Sequence, residues 1–320
     1  MKITLTGSLG NISKPLAVEL IKKGYEVTII SSKVDRKKEI EALGAKAAIG
    51  SLEDAGFLSS AFKGSDIVYL MEPPFTDPND DLETRWKNIA HSYVKAIRQT
   101  GVTKAIHLSG IGGHTDKGVG IVAYHHHVEN ILKELPHSVS IKTMRPVGFH
   151  GNLLRNIETI KTLSKGFIGG LMALRYYGIG GLLSGKRGLI MGNYGPDDPE
   201  ILVSPNDIAS VIAEEIEKPF EGRTVRYIAN EELTWGEVAK ILGEAIGKPY
   251  LKHAKISDKM LTNALIKNGV GEKLAKGIVE MGIAGRTGKL YEDYYKHRPT
   301  LGKTKLKEYA KEFAKAYNQK

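Results

Sequence analysis

The chain opens with a short β-branched and apolar run, Lys2 to Thr6, ending at Gly7. Apolar positions then recur at helical spacing from Leu16 to Ile21, up to Gly24. This order of strand, turn and helix repeats. Val27 to Ile30, Ala47 to Ile49, Ile67 to Met71, Ala105 to Ser109 and Ser140 to Met144 carry strand patterns. Between them, helices are predicted at Lys37 to Leu43, at Leu58 to Phe62, around Trp86 to Arg98 and around Tyr124 to Leu135. Such regular alternation predicts an α/β fold of Rossmann type, a doubly wound parallel sheet with helices on both faces.

After Arg145-Pro146 the pattern changes. The stretch Gly166 to Gly195 is rich in Gly, Leu and Tyr without a clean period, and reads as a flexible or lid-like insert. Arg175, Lys186 and Arg187 interrupt it, so no uncharged run approaches the about 20 residues a membrane span needs. A helix from Pro205 to Ile216, a strand at Thr224 to Ile228 and helices from Thr234 to Ile246 onward predict a smaller, mainly helical substrate-side lobe. The expected division is a dinucleotide-binding domain over 1–150 and this lobe over 151–320, with the insert at 166–195 and the chain weaving back to the sheet around 200–230.

Composition narrows the chemistry. With 320 residues, 41% of them hydrophobic, one large core with an appendage is expected. The absence of cysteine removes disulfides, thiolate nucleophiles and iron–sulfur ligation, so redox chemistry must come from a bound cofactor. The start lacks a basic leader followed by a long apolar run, and a cytoplasmic location is expected. The net charge of +10 comes from scattered lysines. Their densest run, Lys303 to Lys315, alternates with Leu306, Tyr309, Ala310, Phe313 and Ala314 as an amphipathic helix would. Expected partners are therefore a small aromatic or conjugated substrate and at most a second copy (monomer or homodimer), with no nucleic acid and no membrane.

The first turn reads Thr6-Gly7-Ser8-Leu9-Gly10-Asn11-Ile12-Ser13, a Gly-x-x-Gly-x-x-Ser form of the dinucleotide fingerprint set between a strand and a helix. Gly7 permits the tight turn, Gly10 lets backbone approach a pyrophosphate, and the helix start presents unpaired N–H groups. Gly7, Ser8, Leu9, Gly10, Asn11 and Ile12 are thus the candidate phosphate cradle. At the end of the second strand, where NAD binders place an acid about 20 residues on, the chain reads Ser31-Ser32-Lys33. With no carboxylate to repel a 2′-phosphate, and with two hydroxyls and a cation to hold one, NADP(H) is favoured over NAD(H); Arg36 and Lys37 are possible helpers.

The chain resembles the NmrA-like branch of the atypical short-chain dehydrogenases. The resemblance rests on the Gly7 turn, Gly50-Ser51-Leu52-Glu53-Asp54, Met71-Glu72-Pro73-Pro74, Ser109-Gly110, His126-His127-Val128-Glu129, Arg145-Pro146 with Asn152, and Ser204-Pro205-Asn206-Asp207-Ile208-Ala209. That branch includes quinone, azo-dye and triphenylmethane reductases and catalytically silent redox-sensing regulators. It implies nicotinamide contacts from the loops after strands four to six: Met71, Pro73 and Pro74, Ser109, and Pro146 and Phe149, with His126 beside the ribose. It also implies substrate contacts at Phe75, Gly110 and Asn152. The ketone-reducing members use Tyr-x-x-x-Lys, whereas Tyr124 is followed four residues later by Val128. His125 or His126 stands about where the lysine would be, and Ser109 where the resemblance places a catalytic serine. Tyr124, Ser109, His125 and His126 are the candidate catalytic residues.

Reduction of a ketone makes an alkoxide whose conjugate acid has a pKa comparable to that of water, about 15.7, and needs a positioned acid. Hydride transfer to a quinone makes a phenolate-like oxygen, with a conjugate acid near about 10, and needs far less help. The expected activity is therefore NADPH-dependent reduction of a quinone-like or other conjugated electrophile. The other expectation is an NADP(H)-binding regulator that docks to a partner protein without turnover. His125, His126 and His127 are consecutive on a helix, pointing about 100° apart, and cannot converge on one metal ion. Glu129, one turn after His125, is expected to orient it. Tyr176 and Tyr177 in the insert are candidate stacking surfaces for an aromatic substrate.

Overall fold

The structure, a computed structural model, describes residues 1–74 and 80–319. Its first half winds β1 (Lys2–Leu5), α1 (Ser13–Lys22), β2 (Glu26–Ser31), α2 (Lys37–Ala42), β3 (Lys46–Ile49), α3 (Ala55–Phe62), β4 (Ile67–Met71), α4 (Leu82–Thr100), β5 (Lys104–Leu108), α5 (Ala123–Leu132) and β6 (Ser140–Pro146). β7 (Gly148–Phe149), α6 (Asn156–Leu163), α7 (Gly166–Leu183), β8 (Leu189–Gly192), β9 (Pro199–Val203) and α8 (Pro205–Glu217) follow. The chain ends with β10 (Arg223–Ile228), β11 (Glu231–Thr234), α9 (Trp235–Ala245), β12 (Lys252–Lys255), α10 (Asp258–Lys267), α11 (Glu272–Arg286), α12 (Glu292–Lys296) and α13 (Leu306–Gln319).

Seven strands form one parallel sheet in the order β10-β6-β5-β4-β1-β2-β3. Near-continuous apolar runs, such as Ile67 to Leu70 with every side chain buried, are what a strand covered on both faces requires. On one face Leu16 and Leu20 of α1 pack with Ile208 and Ile212 of α8; on the other, Leu58, Trp86, Tyr93 and Val128 bring in α3, α4 and α5. The strand order reverses between β1 and β4, which opens a crevice at their carboxyl ends. The strand expected at Thr224 to Ile228 is β10, which returns the chain to the sheet along β6.

The second half is mainly helical, as expected, and carries two small sheets besides: β11, β9 and β7 form a three-stranded one, and β12 pairs with β8 in another. One expectation needs correction: the stretch 166–195 is not irregular, because most of it is α7, kinked at Gly178 (φ 70°), running into β8. Its apolar residues show no period because they lie on both sides of the helix, with Met172, Ala173 and Tyr176 inward and Phe167, Leu171 and Leu174 outward. The final basic run is α13 as expected, with Leu306, Ala310 and Phe313 buried against Trp235, Val238 and Leu242 of α9.

Candidate functional site

The turn after β1 sits at the strand-order switch. Gly7 (φ 87°) and Ser8 (φ 53°) both lie in the left-handed region. A Cβ on Gly7 would stand 2.4 Å from Ser13 Oγ and 2.9 Å from Met71 Sδ, so this position requires glycine on both backbone and steric grounds. Ser8 N donates to Ile30 O at 3.1 Å and Gly10 N to Gly7 O at 3.1 Å. The N–H groups of Leu9, Asn11 and Ile12 have no acceptor among the described residues. They lead into the first turn of α1, a geometry suited to a pyrophosphate.

Ser31 turns inward, accepting from Ser8 Oγ at 2.9 Å and from Lys33 N at 3.1 Å, and so ties the end of β2 to the turn. Ser32 and Lys33 are exposed beside it. Arg36 pairs with Glu39 at 3.1 Å and Lys37 stands 3.9 Å from Glu41, so both cations already have partners on their own helical segment.

The exit of β4 is pinned from α4. Trp86 Nε1 donates to Pro73 O at 2.9 Å, Arg85 to Pro74 O at 3.2 Å, and Tyr93 Oη to Met71 O at 2.7 Å. Phe75 lies outside the described residues. Beneath this loop Glu72 and His107 form a buried pair, Oε2 to Nε2 3.1 Å. Sequence reading passed over His107, although a histidine between Ile106 and Leu108 in a fully buried strand is itself a signal.

Ser109 and Gly110 follow β5 and meet α5. Ser109 Oγ donates to Glu129 Oε1 at 2.6 Å, and Arg145 holds both oxygens of the same carboxylate at 2.9 and 2.6 Å. Arg145 continues to Asp293 at 3.0 Å and to the Tyr227 hydroxyl at 3.2 Å, and Tyr227 donates to Asp293 at 2.7 Å. Burial pushes the Glu129 carboxyl up, but Arg145 and Ser109 outweigh it and hold it below its usual value. The expectation that Glu129 orients His125 is therefore corrected: the carboxylate binds Ser109 and Arg145, because the helix turns its tip toward β5 and β6. Neither Tyr227 nor Asp293 was legible as part of the site, since each joins it from far along the chain.

His125 lies on the sheet side of α5. A Cβ on Gly110 would come within 2.5 Å of its Nε2, and its ring lies 5.0 Å from that of Trp86, tilted by 52°. Burial, with the neighbouring His107, lowers its pKa to about 4, so the imidazole is neutral at physiological pH. His126 Nδ1 meets Gly113 O at 3.0 Å, and His127 faces Glu83 at 3.2 Å, so the three rings point three ways. Tyr124 packs edge-on to Trp86 at 6.3 Å and stacks on His127 at 6.4 Å, directing it to α4 rather than to Ser109. One turn before His125 stands Ile121, which offers no hydroxyl to that face.

After β6, Pro146 O accepts from Ile111 N at 2.9 Å, and half-buried Phe149 leads into a 3₁₀ turn carrying exposed Asn152. Tyr177 donates to Gly188 O at 2.7 Å and packs edge-on to Tyr250, while Lys252 donates to Tyr176 O at 3.2 Å. Both tyrosines thus brace α7 onto β8 and β12. Glu200 of β9 was missed altogether. Its Oε1 lies 3.1 Å from where a Cβ on Gly148 would stand, and burial pushes its carboxyl up to about 7 despite Arg155.

Comparison with known proteins bears on this arrangement. Residues 7–137 match the family described as NAD(P)H-binding. A curated relative, the decarboxylating sterol-4-alpha-carboxylate 3-dehydrogenase of Dictyostelium discoideum, is 38% identical over 66 residues, 21% of this chain. That match spans 20% of the relative's own length. Among solved structures, a nucleoside-diphosphate-sugar epimerase from Staphylococcus aureus superposes with a TM-score of 0.74 at 17% identity, covering 97% of this chain and 100% of that one. The triphenylmethane reductase of Citrobacter sp. gives 0.70 at 21% identity, over 98% and 100%. An NADPH-dependent quinone oxidoreductase from Escherichia coli, solved with NADPH, gives 0.72 at 19%, over 97% and 99%. Residues 7–137 thus match the NAD(P)H-binding family model, and the chain as a whole shares the Rossmann-type fold of these solved structures.

Proposed function

We propose that the protein is a cytoplasmic NADPH-dependent oxidoreductase that delivers a hydride to a quinone-like or otherwise conjugated electrophile. The observation that carries this reading is the inventory of proton donors beside the fifth strand. Ser109 gives its hydroxyl proton to Glu129, His125 is neutral, and Tyr124 faces α4. Among these three residues no strong acid is thus held ready for an alkoxide, whereas a delocalised phenolate-like anion needs only weak donors and exclusion of water.

The residues present fit the cofactor. Gly7 and Gly10 keep the turn free of side chains, and Leu9, Asn11 and Ile12 aim N–H groups outward. Ser32 and Lys33, exposed at the end of β2 with no carboxylate between Ser31 and Lys33, are groups that suit a 2′-phosphate. When bound, NADPH supplies the hydride. The chain orients it through the pinned Met71 to Pro74 exit and the Ser109 to Gly113 loop, and Gly110 with neutral His125 forms the floor on which a flat electrophile would rest. The neighbours named as quinone and triphenylmethane reductases support the same reaction class.

The test is NADPH oxidation, followed by absorbance, against a panel of quinones and azo dyes, alongside direct titration of NADPH and NADH. Turnover that falls in Gly10→Val, whose added side chain crowds Gly7 O, is the expected result. Tight NADPH binding without consumption on every acceptor would overturn the reductase.

A further inference from the structure

Helix α7 is apolar on both faces. At about 100° per residue, Phe167, Leu171 and Leu174 share one face, with Ile168 and Arg175 at its edge, while Gly169 and Ala173 share the opposite one. A surface helix turns its large apolar side chains to the core. Here Gly169 and Ala173 are buried, and Phe167 is 87% exposed, Ile168 67% and Leu171 57%. The inward face closes tightly at Gly169, where a Cβ would lie 2.6 Å from Leu163 O, and its larger members, Met172 and Tyr176, pack against Leu163, Leu189 and Ala254. Beyond the kink at Gly178, Ile179 (69%) and Leu183 (81%) extend the exposed apolar surface.

Charge says what covers it. From 159 to 196 the sequence contains no Asp or Glu, while Lys161, Lys165, Arg175, Lys186 and Arg187 fall within or beside the helix. Lys165 and Lys186 are exposed at its two ends, and Arg175 lies at the edge of the apolar face, where its stem can follow the apolar side chains and its guanidinium reach outward. No helix among the described residues is long and apolar enough to cross a membrane. An apolar face on a segment whose own charges are all cations matches a bilayer interface carrying anionic headgroups: the acyl boundary takes Phe167, Leu171 and Leu174, and the headgroups take the lysines. A nucleic acid offers no apolar layer for those side chains.

We propose that α7 is a peripheral membrane-docking element that lies in the interface of an anionic lipid bilayer, with Phe167, Ile168 and Leu171 inserted and Lys165, Arg175 and Lys186 on the phosphates. The full-length protein is co-sedimented with vesicles of pure phosphatidylcholine and with vesicles containing about 30% phosphatidylglycerol, at low and high salt. Binding is expected to the anionic vesicles only, and to weaken with salt. Phe167→Glu/Leu171→Glu and, separately, Lys165→Glu/Lys186→Glu should each lower it by about tenfold or more. All four positions are exposed, and an unchanged circular dichroism spectrum and melting temperature establish that the variants are folded. No sedimentation of the wild type with anionic vesicles, or equal sedimentation of the variants, overturns the proposal. So does a dimer in solution that Phe167→Glu/Leu171→Glu dissociates while vesicles bind nothing, which would give the face to a second copy of the chain.

Discussion

Arg145 is the centre of the polar network behind the site, and Arg145→Met is the perturbation whose outcome the structure specifies most fully. Both partners of the Arg145–Glu129 pair are about 8% exposed, and the contact is bidentate at 2.9 and 2.6 Å. Two unit charges about 4 Å apart at an effective dielectric of about 20 interact by about 4 kcal/mol. Removing one partner of a buried pair costs about 3–5 kcal/mol, because the other charge is left buried without compensation. Methionine keeps most of the volume, so the loss is electrostatic. Glu129→Gln should cost less, about 2 kcal/mol, since Arg145 retains Asp293 at 3.0 Å. The double variant should fall well short of the sum, with a coupling of at least about 2 kcal/mol.

The dependence on pH has a definite sign. In the wild type the Glu129 carboxyl titrates below the ordinary glutamate value of 4.5, so its stabilisation is present above pH 4.5 and is lost as pH falls through the lower folded pKa. Without Arg145 only burial and Ser109 remain, and burial raises the pKa. The penalty is then present at neutral pH and shrinks as the carboxyl takes up a proton on acidification. Urea unfolding followed by circular dichroism at about pH 8 and about pH 5 measures both effects. A coupling below about 0.5 kcal/mol, the value of an exposed pair, would refute the reasoning, as would a cost for Arg145→Met that is equal at the two pH values.

Buried His150, stacked on Tyr309, and buried His253, stacked on Tyr194, have pKa values lowered by burial from 6.5 to about 4. Each must therefore lose stability as pH falls below 6.5, by about 2 kcal/mol at about pH 5, and His150→Gln/His253→Gln should flatten that part of the urea-derived pH profile. Glu200 has the opposite sign. Its carboxyl is raised from 4.5 to about 7, so the neutral form's advantage is full below pH 4.5 and is lost as pH rises through 7; Glu200→Gln should raise stability by about 2 kcal/mol at about pH 8 and leave it unchanged at about pH 4.5, by thermal denaturation at the two pH values. Lys33→Asp puts a carboxylate beside the expected 2′-phosphate and should weaken NADPH binding by about tenfold while leaving NADH binding within about twofold, measured by fluorescence titration; equal losses for both would remove Lys33 from cofactor choice.

The sheet was legible because its signal is local. A strand buried on both faces must be apolar along its whole length, and a helix packed against it must be apolar every third or fourth residue, so Ile67 to Leu70 and Leu16 to Leu20 announce themselves without any knowledge of what they touch. The Gly7 turn belongs to the same class, since its positive φ and the contact with Ser13 involve residues only six apart. Helix α7 was misread for a physical reason: it is apolar on its inward and its outward side alike, so its hydrophobic positions show no helical period.

What the sequence by itself determined is the alternation of elements, the parallel sheet, the glycine cradle and the absence of any thiol or Tyr-x-x-x-Lys chemistry. What only the tertiary structure decided is which polar groups meet. Glu129 could have faced His125 one turn away, but packing of α5 against β5 and β6 gives it to Ser109 and Arg145. Asp293 reaches the same arginine from 148 positions further along the chain. Periodicity records which side of an element is buried, whereas a hydrogen-bond partner depends on the register between elements, and that register is set only when the whole sheet and its covering helices close together.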